Sequence, residues 1–271
     1  MPEIAKITTQ KKSAQRYNIF LKEKDKEKYA FSVDEDILIQ FHLRKGLFLT
    51  PQQIEQIKEK DISFKAYSLA LKYLSYRMRS EREIIDYLET KEIEEVYIDE
   101  ITARLTQEGL LDDLAFSEAY VRTKIETTNK GPNMIKKELI GKGIRPDYIE
   151  QALSNYSYEK QYEKIEKWVS KKLRSDSRKS LKQQLDSIKQ SLVQKGFSFE
   201  IITDVLTDLE MERDSEKEYQ ALVYQGEKLL TKHQRKESGF ALEQKVKAGL
   251  YRKGFSSEAI DRFIEETLKD E

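Results

Sequence analysis

Apolar residues recur at intervals of three and four positions along most of this chain, which is the spacing of a helix with one buried face. The apolar residues of the segment 64–78 show it: Ala66, Leu69, Ala70, Tyr73 and Leu74. Residues 1–33 differ, because they contain short β-prone runs separated by charged segments. The pattern therefore predicts a mainly α-helical protein preceded by a small antiparallel sheet of two or three strands.

One stretch of the chain occurs three times. Gly143, Gly196 and Gly254 hold the same position in the three copies, and these glycines lie 53 and 58 residues apart. Each glycine follows a lysine and precedes a bulky apolar residue. The matching apolar residues of the three copies are Leu139, Leu192 and Leu250; Ile144, Phe197 and Phe255; Ile149, Ile202 and Ile260; and Leu153, Leu206 and Ile264. A repeat of this length predicts helical modules that stack in a row.

The repeated Lys-Gly pair predicts the end of one helix and the start of the next. The lysine charge suits the negative end of the helix dipole, and the glycine suits the left-handed conformation that follows a helix. Proline or serine then begins the next helix, as at Pro146, Ser198 and Ser256. In the first module Glu92 stands where the other copies carry glycine, so the pattern leaves the geometry of that turn open.

These signals divide the chain into an N-terminal region and four modules of three helices each, with bounds at 1–60, 61–112, 113–157, 158–212 and 213–271. In the N-terminal region we expect a helix from about residue 34 to residue 44, capped at Ser32 and stopped at Lys45-Gly46. Charged residues make up 36% of the chain and hydrophobic residues 38%. This balance favours an elongated, curved tandem array over a protein with one large central core.

Composition excludes several classes of function. The chain has no cysteine, which removes disulfides, thiolate zinc sites and thiol nucleophiles. Its two histidines, His42 and His233, are far apart in the sequence, and neither has the spacing of a metal site. We find no catalytic constellation, so we expect no enzyme activity, metal or cofactor. With no signal peptide and no apolar run of membrane length, we expect a soluble cytoplasmic protein.

Charge changes sign along the chain although the formal net charge is zero. Residues 81–112 carry eleven acids and three bases, whereas residues 119–145 carry seven bases and two acids. Residues 158–196 are again basic, and residues 200–218 are acidic. A constant rotation between modules can gather the bases into a stripe, and such a stripe fits a nucleic-acid backbone. The alternative is that the charges pair between neighbouring helices or cover solvated faces.

Aromatic residues offer a weaker signal for nucleic-acid binding. Most of them, including Trp168, recur at helical spacing and are expected in the core. Tyr76 and Tyr156 lie near predicted helix ends, where base stacking is an alternative role.

Several motifs follow one another along the chain: the arginine–serine–glutamate run 77–83, Gly109-Leu110-Leu111-Asp112-Asp113, Phe116 with Tyr120, Lys130-Gly131-Pro132, and Ile135, Leu139 and Lys142-Gly143. Together, in this order, they resemble the RecX family. The resemblance is best over residues 62–157, extends through the later repeats and is loosest over residues 1–60. Glu92 and a fourth module stand out as departures from the family pattern.

The resemblance implies a regulator of the RecA recombinase, acting in recombination, DNA repair and SOS control. Such a protein binds the RecA filament on single-stranded DNA within its groove and damps ATP hydrolysis and strand exchange. We expect a monomer whose partners are this filament and single-stranded DNA. The alternatives are a stand-alone DNA-binding protein and a helical-repeat scaffold for another protein. The candidate contact residues are Arg77, Arg79, Arg122, Lys124, Lys130, Lys136, Lys137, Lys142 and Arg145. For Arg77 and Arg79, a structural role in the turn before Ser80 is an equal alternative to a role in binding.

Overall fold

The N-terminal sheet has three antiparallel strands in the order β1 (Ile4–Gln10), β2 (Ser13–Glu23) and β3 (Lys26–Asp34). The computed structural model describes residues 1–11, 13–23, 26–175, 178–211 and 215–268. Side chains on one face of the sheet, among them Ile4, Ile19 and Val33, are fully buried. They pack with Ile37 and Ile57 from the helices that follow. The predicted small sheet is confirmed.

The helix after the sheet is shorter than the sequence pattern predicts. Helix α1 (Glu35–Gln40) is capped by the Asp34 side chain and not by Ser32. It ends early because His42 adopts a left-handed conformation, with φ of 48°. The Gly46 amide then donates to the Ile4 carbonyl at 2.9 Å. Lys45-Gly46 is therefore a turn packed on β1, and the expected helix stop at this position is wrong.

Twelve further helices follow among the described residues. They are α2 (Pro51–Leu74), α3 (Glu81–Glu89), α4 (Glu95–Gln107), α5 (Asp113–Thr127), α6 (Pro132–Gly141), α7 (Pro146–Leu153), α8 (Tyr158–Ser175), α9 (Leu181–Gln194), α10 (Phe199–Met211), α11 (Ser215–His233), α12 (Gly239–Arg252) and α13 (Ser257–Leu268). Taken in threes from α2 onward, they form four tandem modules. The fold is thus mainly helical with tandem three-helix modules, as the sequence predicts.

Helix α2 is continuous across the predicted boundary between residues 60 and 61. Asp61 lies in its middle, is largely buried, and accepts from Arg16 of β2 and from the Asp34 amide, both at 2.7 Å. The carboxylate thus ties the sheet to the same helix that opens the first module. The sequence pattern places a boundary here because it does not show that one helix serves both regions.

Backbone contacts divide the chain into two compact units. The first comprises Met1–Ser117 with Gly141–Tyr148, and the second comprises Glu118–Ile140 with Ile149–Glu271. Each unit is built on the same repeated turn, described next.

The turn after the second helix of each module has the geometry that the repeat predicts. Gly143, Gly196 and Gly254 have φ values of 77°, 90° and 87°, and Glu92 adopts the same left-handed conformation with φ of 59°. After the turn, the Phe197 amide donates to the Leu192 carbonyl at 3.2 Å, and the Ile93 and Phe255 amides bond in the same way to Leu88 and Leu250, at 3.2 Å and 3.4 Å. These bonds satisfy carbonyl groups that the end of a helix leaves unpaired.

Each of the last three modules docks through this turn on the module before it. The carbonyl oxygen of Lys142 accepts from the Ser80 hydroxyl at 2.9 Å. In the same way the Lys195 carbonyl accepts from the Gly131 amide at 2.7 Å, and the Lys253 carbonyl accepts from the Ser180 hydroxyl. In all three cases the donor is the residue just before the second helix of the preceding module. A donor at the start of one helix thus bonds to a carbonyl oxygen just after the end of another helix.

The close approach explains why these turns carry glycine. A Cβ atom at Gly143 would lie 2.7 Å from the Arg82 side chain, and one at Gly254 would lie 2.8 Å from the Lys182 side chain. At Gly196 the added atom would overlap the backbone of Met134. Among the described residues, no donor approaches the Lys91 carbonyl in the equivalent way. A side chain at Glu92 is therefore tolerated, at the cost of its left-handed conformation.

We predict that Gly196→Ala lowers the free energy of unfolding by about 2–4 kcal/mol, because it adds an overlap with the backbone to the strain of a positive φ. The control is Gly109→Ala, where φ is 70° but nothing lies within 4 Å of the added atom. For the control we expect about 1–2 kcal/mol, the strain alone. Denaturant unfolding of the two variants measures the difference, and equal losses would contradict the docking role of Gly196.

Candidate nucleic-acid interface

An open groove of about 1180 Å³ runs between α5 and α8 of the second unit. Its walls carry six basic side chains and three acidic ones: Arg122, Lys160, Lys164, Lys167, Lys171 and Lys172 against Glu118, Glu126 and Glu163. The Lys167–Glu163 ion pair is loose, at 3.5 Å, and both side chains are exposed. The groove thus has an excess of positive charge, which suits the phosphate backbone of a nucleic acid.

The lysines of α8 lie on one face because of their spacing. Lys160, Lys164, Lys167 and Lys171 stand at positions i, i+4, i+7 and i+11, so successive side chains line up along the helix. With a rise of about 1.5 Å per residue, the row extends about 16 Å. The opposite face of α8 buries Ile165 and Val169 in the core. The amphipathic pattern of the helix therefore places its lysine side chains at the groove.

Lys164 also lines the groove. Its ammonium group donates to the carbonyl oxygens of Ile125 and Thr128, the latter at 2.7 Å, at the C-terminal end of α5. Burial lowers the pKa of Lys164. A cation at this end of a helix pairs with unsatisfied carbonyls and with the negative end of the dipole. We therefore assign Lys164 a structural role, since its ammonium group is engaged within the protein.

Trp168 supplies an aromatic surface in the groove. The ring is half-buried, and the ammonium groups of Lys172 and Lys195 lie 5.8 Å and 5.6 Å from its centroid. An aromatic ring among cations is the arrangement on which single-stranded bases stack. The sequence pattern predicts a core position for Trp168, and its half-burial corrects this. The alternative stacking residue Tyr156 is buried, whereas Tyr76 is exposed.

Four of the predicted contact residues lie in the first unit and have partners within it. Arg77 and Lys142 both bind Glu83, at 2.9 Å and 2.8 Å. Burial by itself raises the pKa of Glu83, but hydrogen bonds from Arg77, Lys142 and the Ser80 amide outweigh it and lower the pKa to about 2. These cations therefore stabilise the capping box of α3 and its docked turn.

The other two predicted contact residues of the first unit, Arg79 and Arg145, have partners close to them in the sequence. The Arg79 guanidinium stacks 3.8 Å from the centroid of the Tyr73 ring and donates to the Tyr73 carbonyl. Arg145 binds Asp147 at 2.9 Å.

The remaining five predicted residues lie in the second unit. Lys130 forms an ion pair with Glu138, which also accepts from the Tyr120 hydroxyl at 2.9 Å. Burial favours the neutral acid, but these two hydrogen bonds outweigh it and lower the pKa of Glu138. The Lys124 ammonium lies 4.9 Å from the centroid of the Tyr120 ring.

Arg122, Lys136 and Lys137 are exposed, and no ion pair involves them among the described residues. Arg122 lines the groove together with the α8 lysines. The structure thus brings one predicted contact residue together with four residues that the prediction omitted: Lys160, Lys167, Lys171 and Trp168. The four-, three- and four-residue spacing of the α8 lysines is the signal that could have identified them.

The described residues contain no group of three His, Asp or Glu side chains placed to hold a metal ion. None of the described helices is long and apolar enough to cross a membrane.

Comparisons with known proteins show which family shares this architecture. A model of the regulatory protein RecX N-terminal domain matches residues 2–50, and models of the first and second RecX three-helix domains match residues 66–105 and 112–153. The model of the third RecX three-helix domain matches twice, over residues 159–206 and 216–264. The chain belongs to the RecX family.

Relatives within the RecX family span the whole chain. The regulatory protein RecX of Oceanobacillus iheyensis is 49% identical over 272 residues, which cover 100% of both chains. That of Bacillus subtilis is 41% identical and covers 98% of this chain and 99% of its own. Because these relatives have matching length, the expectation that a fourth module departs from the RecX family is wrong.

Two crystal structures of RecX proteins resemble parts of the chain. A regulatory protein RecX has a TM-score of 0.61 and 38% identity, and the similarity covers 76% of this chain and 98% of that one. RecX from Lactobacillus salivarius has a TM-score of 0.54 and 39% identity, over 56% of this chain and 99% of that one.

We predict that Glu83→Gln lowers the free energy of unfolding at pH 7 by about 1 kcal/mol, allowing for solvent screening. The folded-state pKa of Glu83 is about 2, below the ordinary value of 4.5. The contribution of its charge is therefore present above pH 4.5 and is lost as the pH falls toward 2. Unfolding at pH 7 and at pH 2.5 tests this, with the exposed Glu89→Gln on the same helix as control. A difference between wild type and Glu83→Gln that does not shrink at low pH would contradict it.

We predict that replacing Lys160, Lys167 and Lys171 with glutamate weakens binding of single-stranded DNA at least about tenfold at low salt. The slope of log K against log salt should fall by about 2, since each lost phosphate contact removes about 0.7. The control variant replaces the exposed Lys228, Lys232 and Lys236 and has the same change in charge. Fluorescence of Trp168, the single tryptophan, reports binding directly. Equal weakening by both variants would show a net-charge effect without a role for the groove.

Proposed function

We propose that this RecX-family chain regulates the RecA recombinase. It binds the RecA filament on single-stranded DNA and damps ATP hydrolysis and strand exchange without chemistry of its own, as a cytoplasmic monomer acting in recombination, repair and SOS control. The observation that carries the proposal is the 49% identity to a regulatory protein RecX over the full length of both chains. RecA itself enters as the partner that the family resemblance implies.

The charge distribution supports this proposal. The groove between α5 and α8 offers cations and an aromatic ring to the DNA of the filament. The acidic residues within 81–112 and 200–218 are suited to basic loops of a protein partner. Among the predicted contact residues, we assign DNA or protein contacts to Arg122, Lys136 and Lys137, because the other six have partners within the chain. The elongated, curved form of the array stays a prediction.

A second candidate function is stand-alone binding of single-stranded DNA. The groove favours it, because Trp168 and the α8 lysines form a nucleic-acid site that needs no second protein. A protein of this kind removes the DNA on which RecA assembles and leaves a preformed filament unaffected. The two functions therefore differ in the order of addition at which they act.

The test is ATP turnover by RecA on single-stranded DNA, with the chain added after the filaments have formed. We expect turnover to fall at chain concentrations well below that of RecA. No effect on preformed filaments, together with tight binding of bare DNA, would favour the second function. If the chain neither lowers ATP turnover nor binds bare DNA, both proposals are contradicted. A scaffold for another protein is then the remaining alternative.

A charge-reversal variant extends this test. Lys136→Glu with Lys137→Glu changes two exposed cations of α6 and none of the internal ion pairs. We expect weaker damping of ATP turnover, with unchanged thermal stability. Full activity of this variant would exclude both lysines from the contact.

A further inference from the structure

The last three modules each expose one bulky apolar side chain at the same position. Ile140, Val193 and Tyr251 each stand three residues before the turn glycine, on the second helix of their module. Their exposed fractions are 56%, 49% and 67%. Each directly follows a buried leucine of the repeat, so the helix turns this position out of the core. We call these three residues the outer row.

Recurrence separates the outer row from ordinary surface residues. Single exposed apolar side chains are common and need no explanation, and Val96 and Phe240 are examples here. The outer row differs because the position stays bulky and apolar in three copies while the residue itself changes from isoleucine to valine to tyrosine. Packing within the modules does not require an apolar residue at a position that faces solvent.

A lysine accompanies each member of the outer row four residues earlier, on the same face of the helix. These lysines are Lys136, Lys189 and Lys247. Lys136 is exposed, the Lys189 ammonium lies 4.0 Å from the centroid of the Phe199 ring, and Lys247 binds both Glu243 and Asp261. The lysine is thus a recurring neighbouring cation, while the apolar residue is the recurring exposed group.

The docking contact arranges the outer row within the second unit. The start of α6 docks on the turn at Lys195, and the start of α9 docks on the turn at Lys253. Because the same kind of docking contact relates each of these modules to the next, equivalent residues recur at corresponding positions of successive modules. At the matching position the first module carries an exposed acid, Glu89, so the row begins with the second module.

We propose that the outer row binds a partner that is itself periodic, a filament of identical protein subunits. Each subunit would present a shallow apolar socket that suits one exposed apolar side chain. Three equivalent contacts in tandem match a partner only if its surface also repeats. This inference rests on the proposed function, in which the filament is RecA on single-stranded DNA.

Because the three contacts are linked in one chain, the loss of affinity expected from each substitution can be stated. Each contact is weak alone, but the chain joins the three, so that the second and third form at high effective concentration. Replacing one member by serine should weaken filament binding about tenfold, equivalent to about 1.4 kcal/mol. Replacing all three should weaken it at least about a hundredfold.

The experiment compares Ile140→Ser, Val193→Ser and Tyr251→Ser, combined in one full-length chain, with the wild type. Binding to preformed RecA filaments is measured by co-sedimentation, and binding to bare single-stranded DNA by Trp168 fluorescence. The matched control carries Val96→Ser and Phe240→Ser, two exposed apolar residues outside the row. We expect the triple variant to lose filament binding but to keep its DNA binding and melting temperature, and the control to behave as wild type.

Three results would overturn the inference. One is filament binding by the folded triple variant within twofold of the wild type. Another is an equal loss in the control variant, which would show a general effect of surface hydrophobicity. A third is a parallel loss of bare-DNA binding, which would place DNA and not protein at the row. Failure of the wild type itself to bind the filament would refute the proposed function as well, so the wild-type measurement separates the two failures.

Discussion

The fold depends on one repeated hydrogen bond, from the start of a second helix to the carbonyl of a turn lysine in the next module. Lys142, Lys195 and Lys253 supply the three carbonyls. A helix start and a helix stop each leave backbone groups unpaired, and joining them satisfies both. Because the partners come from successive modules, the contact lets stability accumulate from one neighbour to the next, as in other repeat proteins.

Contacts within the chain also engage several of the cations. Arg77 and Lys142 converge on Glu83 beside the docked turn, and Lys164 closes the end of α5. Their charge therefore stabilises the modules. At the two surfaces discussed for DNA or protein contacts, the exposed cations include Arg122, Lys160, Lys167 and Lys171 at the groove, and Lys136 and Lys137 on α6.

The surfaces proposed for function use different helices of the second unit. The groove lies between α5 and α8, whereas the outer row lies on α6, α9 and α12. One offers cations and an aromatic ring, and the other offers apolar side chains at a regular interval. The first module lacks a member of the outer row, and its Glu92 and Glu89 depart from the repeat at the turn and at the outer position. A filament of protein on single-stranded DNA combines the two chemistries that these surfaces fit.

The sequence alone determined the modules, because their signals are local. Helical periodicity, the left-handed glycine at residues 143, 196 and 254, and the buried leucine before it all act within one turn of chain. It also carried the family resemblance, since those motifs are contiguous. Only the tertiary structure decided that α2 serves both the sheet and the first module, that Glu83 engages Arg77 and Lys142, and that Trp168 lines a groove. These depend on residues far apart in the sequence, as Ser80 and Lys142 are, and local periodicity carries no information about which distant side chain a charge or ring will meet.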